Sequence, residues 1–202
     1  MERSKLNLEW WERRDGLVKR LVESGGVLVS SGRESEVVHI GDEVHQIFPP
    51  NEFDPRYNLS VFNLYKDWVD RLALKWFGQS AKLRGGGKEI SFAVNIVRVL
   101  KVGVKEGFPE LVRPFIEGYS LTGDGNEYFV HDHPSLGSLS SREYNANIRT
   151  VTELSSKLRE STGEQNIEVA PLNLKLNKSG AFVTDLIPSM GGFAERVVGK
   201  FK

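Results

Sequence analysis

The chain contains no cysteine. Disulfides are excluded, and so is any metal site built on thiolates. Charge of one sign is equally absent: 27 basic residues balance 27 acidic ones. Without a global field, neither nucleic acid nor an anionic membrane is an expected partner unless a local basic patch exists. The longest basic cluster, Lys82-Leu83-Arg84 ahead of Gly85-Gly86-Gly87, reads as a solvated loop on a flexible glycine hinge. No uncharged apolar run approaches the ~18 residues of a membrane span. Met1 to Lys5 lead into a charged amphipathic segment, unlike a signal peptide, so the expected location is cytoplasmic.

What is present suits one folded domain over 1–202. Hydrophobic residues make up 39% of the chain, enough for a real core. Leu8, Trp11, Leu17, Val18, Leu21 and Val22 are spaced for a first helix, interrupted at Asp15-Gly16 and stopped by Gly25-Gly26. Val27-Leu28-Val29 reads as a short buried strand. Val37–Ile40 and Val44–Phe48 flank Gly41-Asp42 as a β-hairpin. Val61, Leu64, Tyr65, Trp68, Leu72 and Trp76 mark a strong amphipathic helix. Ile90–Val104 fits helix or strand, and Phe108–Ile116 reads as a short helix. Residues 54–117 thus read as a largely helical block. A strand over Glu127–Val130, a helix capped near Ser140 and later strands complete an α/β (α+β) domain with a mixed sheet flanked by helices.

Two of only four histidines stand one residue apart in "YFVHDHPSLGSLSSREYN". In a strand, residues i and i+2 share a face, so His131 and His133 would project side by side as two ligands of one metal require. Pro134 forces a turn, and Glu143 falls in the first turn of the helix that follows. Two imidazoles, one carboxylate and an open position form the arrangement of catalytic zinc, whose bound water ionises near neutral pH. The same residues admit a purely structural account. Ser140 and Glu143 form a capping-box pattern, Gly25-Gly26 can simply end a helix, and the histidines can sit at a strand end. His39 and His45 flank a hairpin turn and read as exposed side chains. The four tryptophans lie on helical faces and read as packing.

His131-x-His133-Pro134, the serines and the acid that follows resemble the metal motif of the JAB/MPN (JAMM) metalloproteases. Glu23-Ser24-Gly25-Gly26-Val27-Leu28 is similar to the segment that carries their general base. The resemblance implies a cytidine-deaminase-like mixed sheet flanked by helices, with residues 54–117 a helical insertion that could serve as a lid, a substrate-binding element or the seat of a partner protein. It also implies zinc on His131, His133 and Glu143, Glu23 as the base, and Ser140 or Ser141 as donor to the oxyanion. The activity implied is cleavage of a peptide or isopeptide bond in a protein or peptide with an extended tail, such as that of a ubiquitin-like protein, threaded along the sheet edge. Counted strictly, Ser141 falls on the family's serine and Tyr144 on its aspartate. A one-residue deletion restores Ser140 and Glu143. Tyrosine at that position leaves a second expectation, a metal-free relative acting as scaffold or binding module. A third is a viral or phage structural or nucleic-acid-associated protein.

Overall fold

The computed structural model describes residues 2–32, 34–50, 54, 56–122, 132–163, 165, 167–186 and 192–195. The fold is mixed α+β with two main sheets, and the chain divides into two compact units. The first comprises Met1–Trp68, Arg98–Phe115 and Ser189–Lys202; the second comprises Val69–Val97 and Ile116–Pro188.

In the first unit, α1 (Glu2–Glu23) runs without a break through Asp15-Gly16. Its stop is encoded by glycine. Gly25 adopts φ +101°, Gly25 N–H reaches Val22 C=O, and Gly26 N–H reaches Leu21 C=O at 2.9 Å. A Cβ on Gly26 would lie 2.7 Å from that same Leu21 oxygen, so the position has no room for a side chain.

Strands β1 (Val27–Ser31), β2 (Glu36–Ile40) and β3 (Glu43–Ile47) follow as an antiparallel meander, as the alternation around Gly41-Asp42 predicts. Past α2 (Leu59–Lys75), two strands of the second unit come next in the chain: β4 (Ser80–Gly85) and β5 (Lys88–Ile96). The first sheet is completed by β6 (Lys101–Lys105) and β7 (Phe108–Pro114), in the order β1-β2-β3-β7-β6, with all neighbours antiparallel. Leu17, Val18 and Leu21 of α1 bury against Val38, Ile47 and Phe108 on one face. On the other, Arg113 donates to Gln46 Oε1 at 2.8 Å and to the Tyr65 hydroxyl at 3.1 Å.

Residues 54–117 therefore hold one helix and four strands, where the sequence suggests a helical insertion. β7 explains the misreading. Six of its seven residues are buried, so it lacks the alternation that marks a half-exposed strand.

The second unit's sheet has the order β4-β5-β12-β11-β8. Its remaining strands are β8 (Tyr119–Ser120), β11 (Leu174–Asn177) and β12 (Gly180–Val183). β12 pairs parallel with β5; the other neighbours are antiparallel. The expected loop at Lys82-Leu83-Arg84 is part of β4, and the expected glycine hinge is the tight turn of the β4–β5 hairpin. Gly86 and Gly87 have φ +58° and +75°, the twist a two-residue hairpin turn requires. A small hairpin, β9 (Asp132–His133) with β10 (Gly137–Ser138), precedes α3 (Ser141–Thr162). α3 buries Val151, Leu154 and Leu158 and ends at Gly163 with φ +75°. The expected strand over Glu127–Val130 lies outside the described residues. No described helix is long and apolar enough to cross a membrane.

Candidate functional site

His133 ends β9. Its carbonyl accepts from Leu136 N–H at 3.0 Å, and Gly137 follows at φ +75°, which closes a three-residue hairpin loop. The same turn brings Ser135 N–H to His133 Nδ1 at 3.1 Å. In the neutral ring Nδ1 is therefore the acceptor, and Nε2 carries the proton. The side chain is 1% exposed and meets the Tyr119 ring edge-on at 6.1 Å. Burial holds its pKa below the usual histidine range, opposed only in part by the backbone of Ser120 and Tyr119. Nε2 is buried without a hydrogen-bond partner among the described residues.

Glu143 is engaged at both oxygens. Oε2 accepts from Ser140 N–H at 2.9 Å and from the Ser140 hydroxyl at 2.6 Å, while Oε1 accepts from Gly87 N–H at 2.9 Å. Ser140 Oγ in turn accepts from Glu143 N–H, completing a capping box. Hydrogen bonds from Ser140, then from Gly87, hold the carboxylate below its usual pKa. Glu143 thus pins the start of α3 to the turn of the β4–β5 hairpin, and Gly86 N–H adds a bond to Ser138 C=O at 3.0 Å. Ser141 is the exposed first residue of α3.

Glu23 belongs to the other unit. It is the exposed last residue of α1, 3.9 Å from Lys19 Nζ one turn back. The Glu-x-Gly-Gly segment is fully accounted for by the helix stop described above. His131 lies outside the described residues. Among the described residues no group of three metal-ligating side chains converges. They offer one buried imidazole with Nδ1 occupied and one acid held by three donors. No step through a metal follows from this arrangement.

No protein-family model matches the chain, and no curated protein matches it.

The other two histidines lie on opposite faces of the first sheet, because His45 pairs with Val38 and His39 with Val44. His39 stacks on Phe115 with ring centres 3.6 Å apart. Against expectation, His45 is buried, with Nδ1 2.7 Å from Glu110 Oε1. Trp10, Trp68 and Trp76 are buried as expected of packing residues, and Trp11 lies under the Arg14 guanidinium at 3.9 Å.

A feature that sequence reasoning misjudged is β1. Val27-Leu28-Val29 was expected to be buried, yet these residues are 59%, 45% and 56% exposed, and all five residues of the strand are open to solvent. β1 is an edge strand whose one partner among the described residues is β2. It carries neither charge nor proline, the usual guards of a sheet edge. Its single irregularity is a bulge between Leu28 and Ser30.

Proposed function

We propose that the chain is a non-catalytic binding module that pairs an extended, uncharged, apolar segment of a partner protein with the open edge of β1. The observation that carries this reading is a strand whose second edge has no partner among the described residues and whose three consecutive large apolar side chains are about half exposed. Apolar side chains cost free energy when left in water, roughly 25 cal/mol for each Å² exposed, so a strand that keeps them outside invites cover. Main-chain groups on the free edge supply a hydrogen-bond ladder for an added strand, and alternate side chains supply selectivity. With no charge on Val27–Ser31, a charged segment gains nothing there, whereas an uncharged apolar one loses its own exposed surface. Five residues bury little area, so the association is weak and transient in kind. This reading retains the extended tail along a sheet edge but not the hydrolysis. Glu143, Ser140 and Gly25-Gly26 have structural roles that need no chemistry.

The test is amide hydrogen exchange on the full chain with a short, uncharged valine- and threonine-rich peptide as probe. Slowed exchange over Val27–Ser31, abolished by Leu28→Lys, supports the reading. Exchange that the peptide leaves unchanged overturns it, and protection that rises with protein concentration alone identifies a second copy as the occupant. Zinc content measured on the same preparation decides the rival. About one zinc per chain, lost in His133→Ala, would return the protein to the hydrolase reading.

A further inference from the structure

The second unit carries an open trough of about 460 Å³, distinct from β1 and from the His133 hairpin. One wall is the exposed row of β4, Ser80, Lys82 and Arg84, which alternates with buried Ala81, Leu83 and Gly85. The other is a stripe of α3 running through Ala146, Arg149, Thr150, Glu153 and Lys157. These lie beside the helix's buried stripe of Asn147, Val151, Leu154 and Leu158. Four cations thus face two carboxylates, Glu89 and Glu153. Glu89 is already taken by Lys82 at 2.9 Å. Arg149 and Lys157 make no ion pair among the described residues, although Glu153 is one turn from each on the same helix, and Arg84 makes none either while lying within electrostatic range of Glu89 and Glu143.

The walls are fixed to one another. Asn147 is fully buried; its Oδ1 accepts from Arg84 N–H at 2.6 Å and its Nδ2 donates to Arg84 C=O at 2.7 Å. The Glu143–Gly87 bond holds the same two elements together at the hairpin turn. The side chains of Arg84 and Arg149 therefore stand on a frame that needs no reordering to receive a ligand, which lowers the cost of binding.

We propose that this trough binds a compact oligophosphate through Arg84, Arg149 and Lys157. Guanidinium groups match phosphate oxygens with paired N–H donors, and a charge-assisted bond of this kind is about twice as strong as a neutral one. No aromatic side chain lines the trough, so it offers no platform for a stacked base, and the phosphates are what it recognises. Along β4 the wall from Ser80 to Arg84 spans about 13 Å at ~3.3 Å per residue, room for a short run of phosphates and no more. A long nucleic acid strand needs cations beyond it, and the chain as a whole has none to spare.

The probe is inorganic tripolyphosphate, titrated calorimetrically into the full chain at low salt. We expect saturable binding that weakens as salt rises. Arg84→Glu and Arg149→Glu should each weaken it at least about tenfold, the effect of losing one charge-assisted bond. Glu153→Gln should strengthen it. Both arginine side chains are exposed, so the variants should keep the wild-type melting temperature, which is checked first. No binding by the wild-type chain, or binding indifferent to both arginine variants, overturns the site. A single-stranded oligonucleotide that binds more tightly than tripolyphosphate through the same arginines overturns the choice of a compact ligand.

Discussion

His133 shows what a short motif leaves open. The i, i+2 spacing of His131 and His133 puts two imidazoles on one face if a strand continues through both. β9 ends at His133 itself, and the turn it enters supplies a main-chain donor to its ring. That donor comes from Ser135, two residues on, within reach of local reading; the burial beside Tyr119 is a tertiary fact and was not. The consequence is a pH dependence. The unfolded chain takes a proton on this ring below its ordinary value of 6.5, while the folded chain resists until lower pH. Stability therefore grows with pH through that window and is lost as pH falls from 6.5 toward the lowered folded value. We expect the melting temperature to drop when pH is taken from about 7.5 to about 5.5, and His133→Asn to flatten that slope. A slope unchanged in the variant would assign the effect elsewhere. Glu143, also held low, acts in a separate window below its ordinary 4.5.

Among the elements, α3 was the most legible, because its signals are local. Ser140 and Glu143 stand three residues apart and cap the helix as their spacing predicts, and Thr162-Gly163 ends it. Asn147 was not legible, since its partner lies 63 residues away. It occupies the helix where a neighbouring strand would otherwise supply hydrogen bonds to the edge of β4. Asn147→Leu fills the space but leaves the Arg84 N–H and C=O without partners. We expect a loss of about 1–3 kcal/mol for each group left unsatisfied. It would be read as a lower urea midpoint at unchanged denaturant slope, and a midpoint within error of wild type would show that water replaces the amide. Strands β1 and β7 mark the opposite failures of pattern reading. One is apolar and exposed, the other mostly buried, and neither alternates in the way that reveals a half-buried strand.

At the scale of the whole molecule, the division into two units was largely hidden from the sequence. The chain crosses between them four times: within α2, at Val97/Arg98 and at Phe115/Ile116, where no run of proline, glycine or serine announces a linker, and at Pro188/Ser189, where the sequence Pro188-Ser189-Met190-Gly191-Gly192 does have that composition. Net charge, by contrast, was read directly. With a formal charge of zero and an isoelectric point near 6.9, long-range repulsion between copies vanishes close to neutrality. The open apolar edge of β1 then meets least resistance. Light scattering should show association greatest near pH 6.9 and reduced by Leu28→Lys at that pH, and a flat pH profile would remove β1 as its cause.

The strand order of the second sheet bears on how the molecule is born. β12 lies between β5 and β11, although it is the last strand among the described residues. As the chain leaves the ribosome, β4 and β5 can form their hairpin early, but the inner side of β5 stays unclaimed until Gly180–Val183 has emerged. For that interval the nascent protein carries a raw seam through its middle, and it is then, before the closing strand arrives, that chaperone attention matters most.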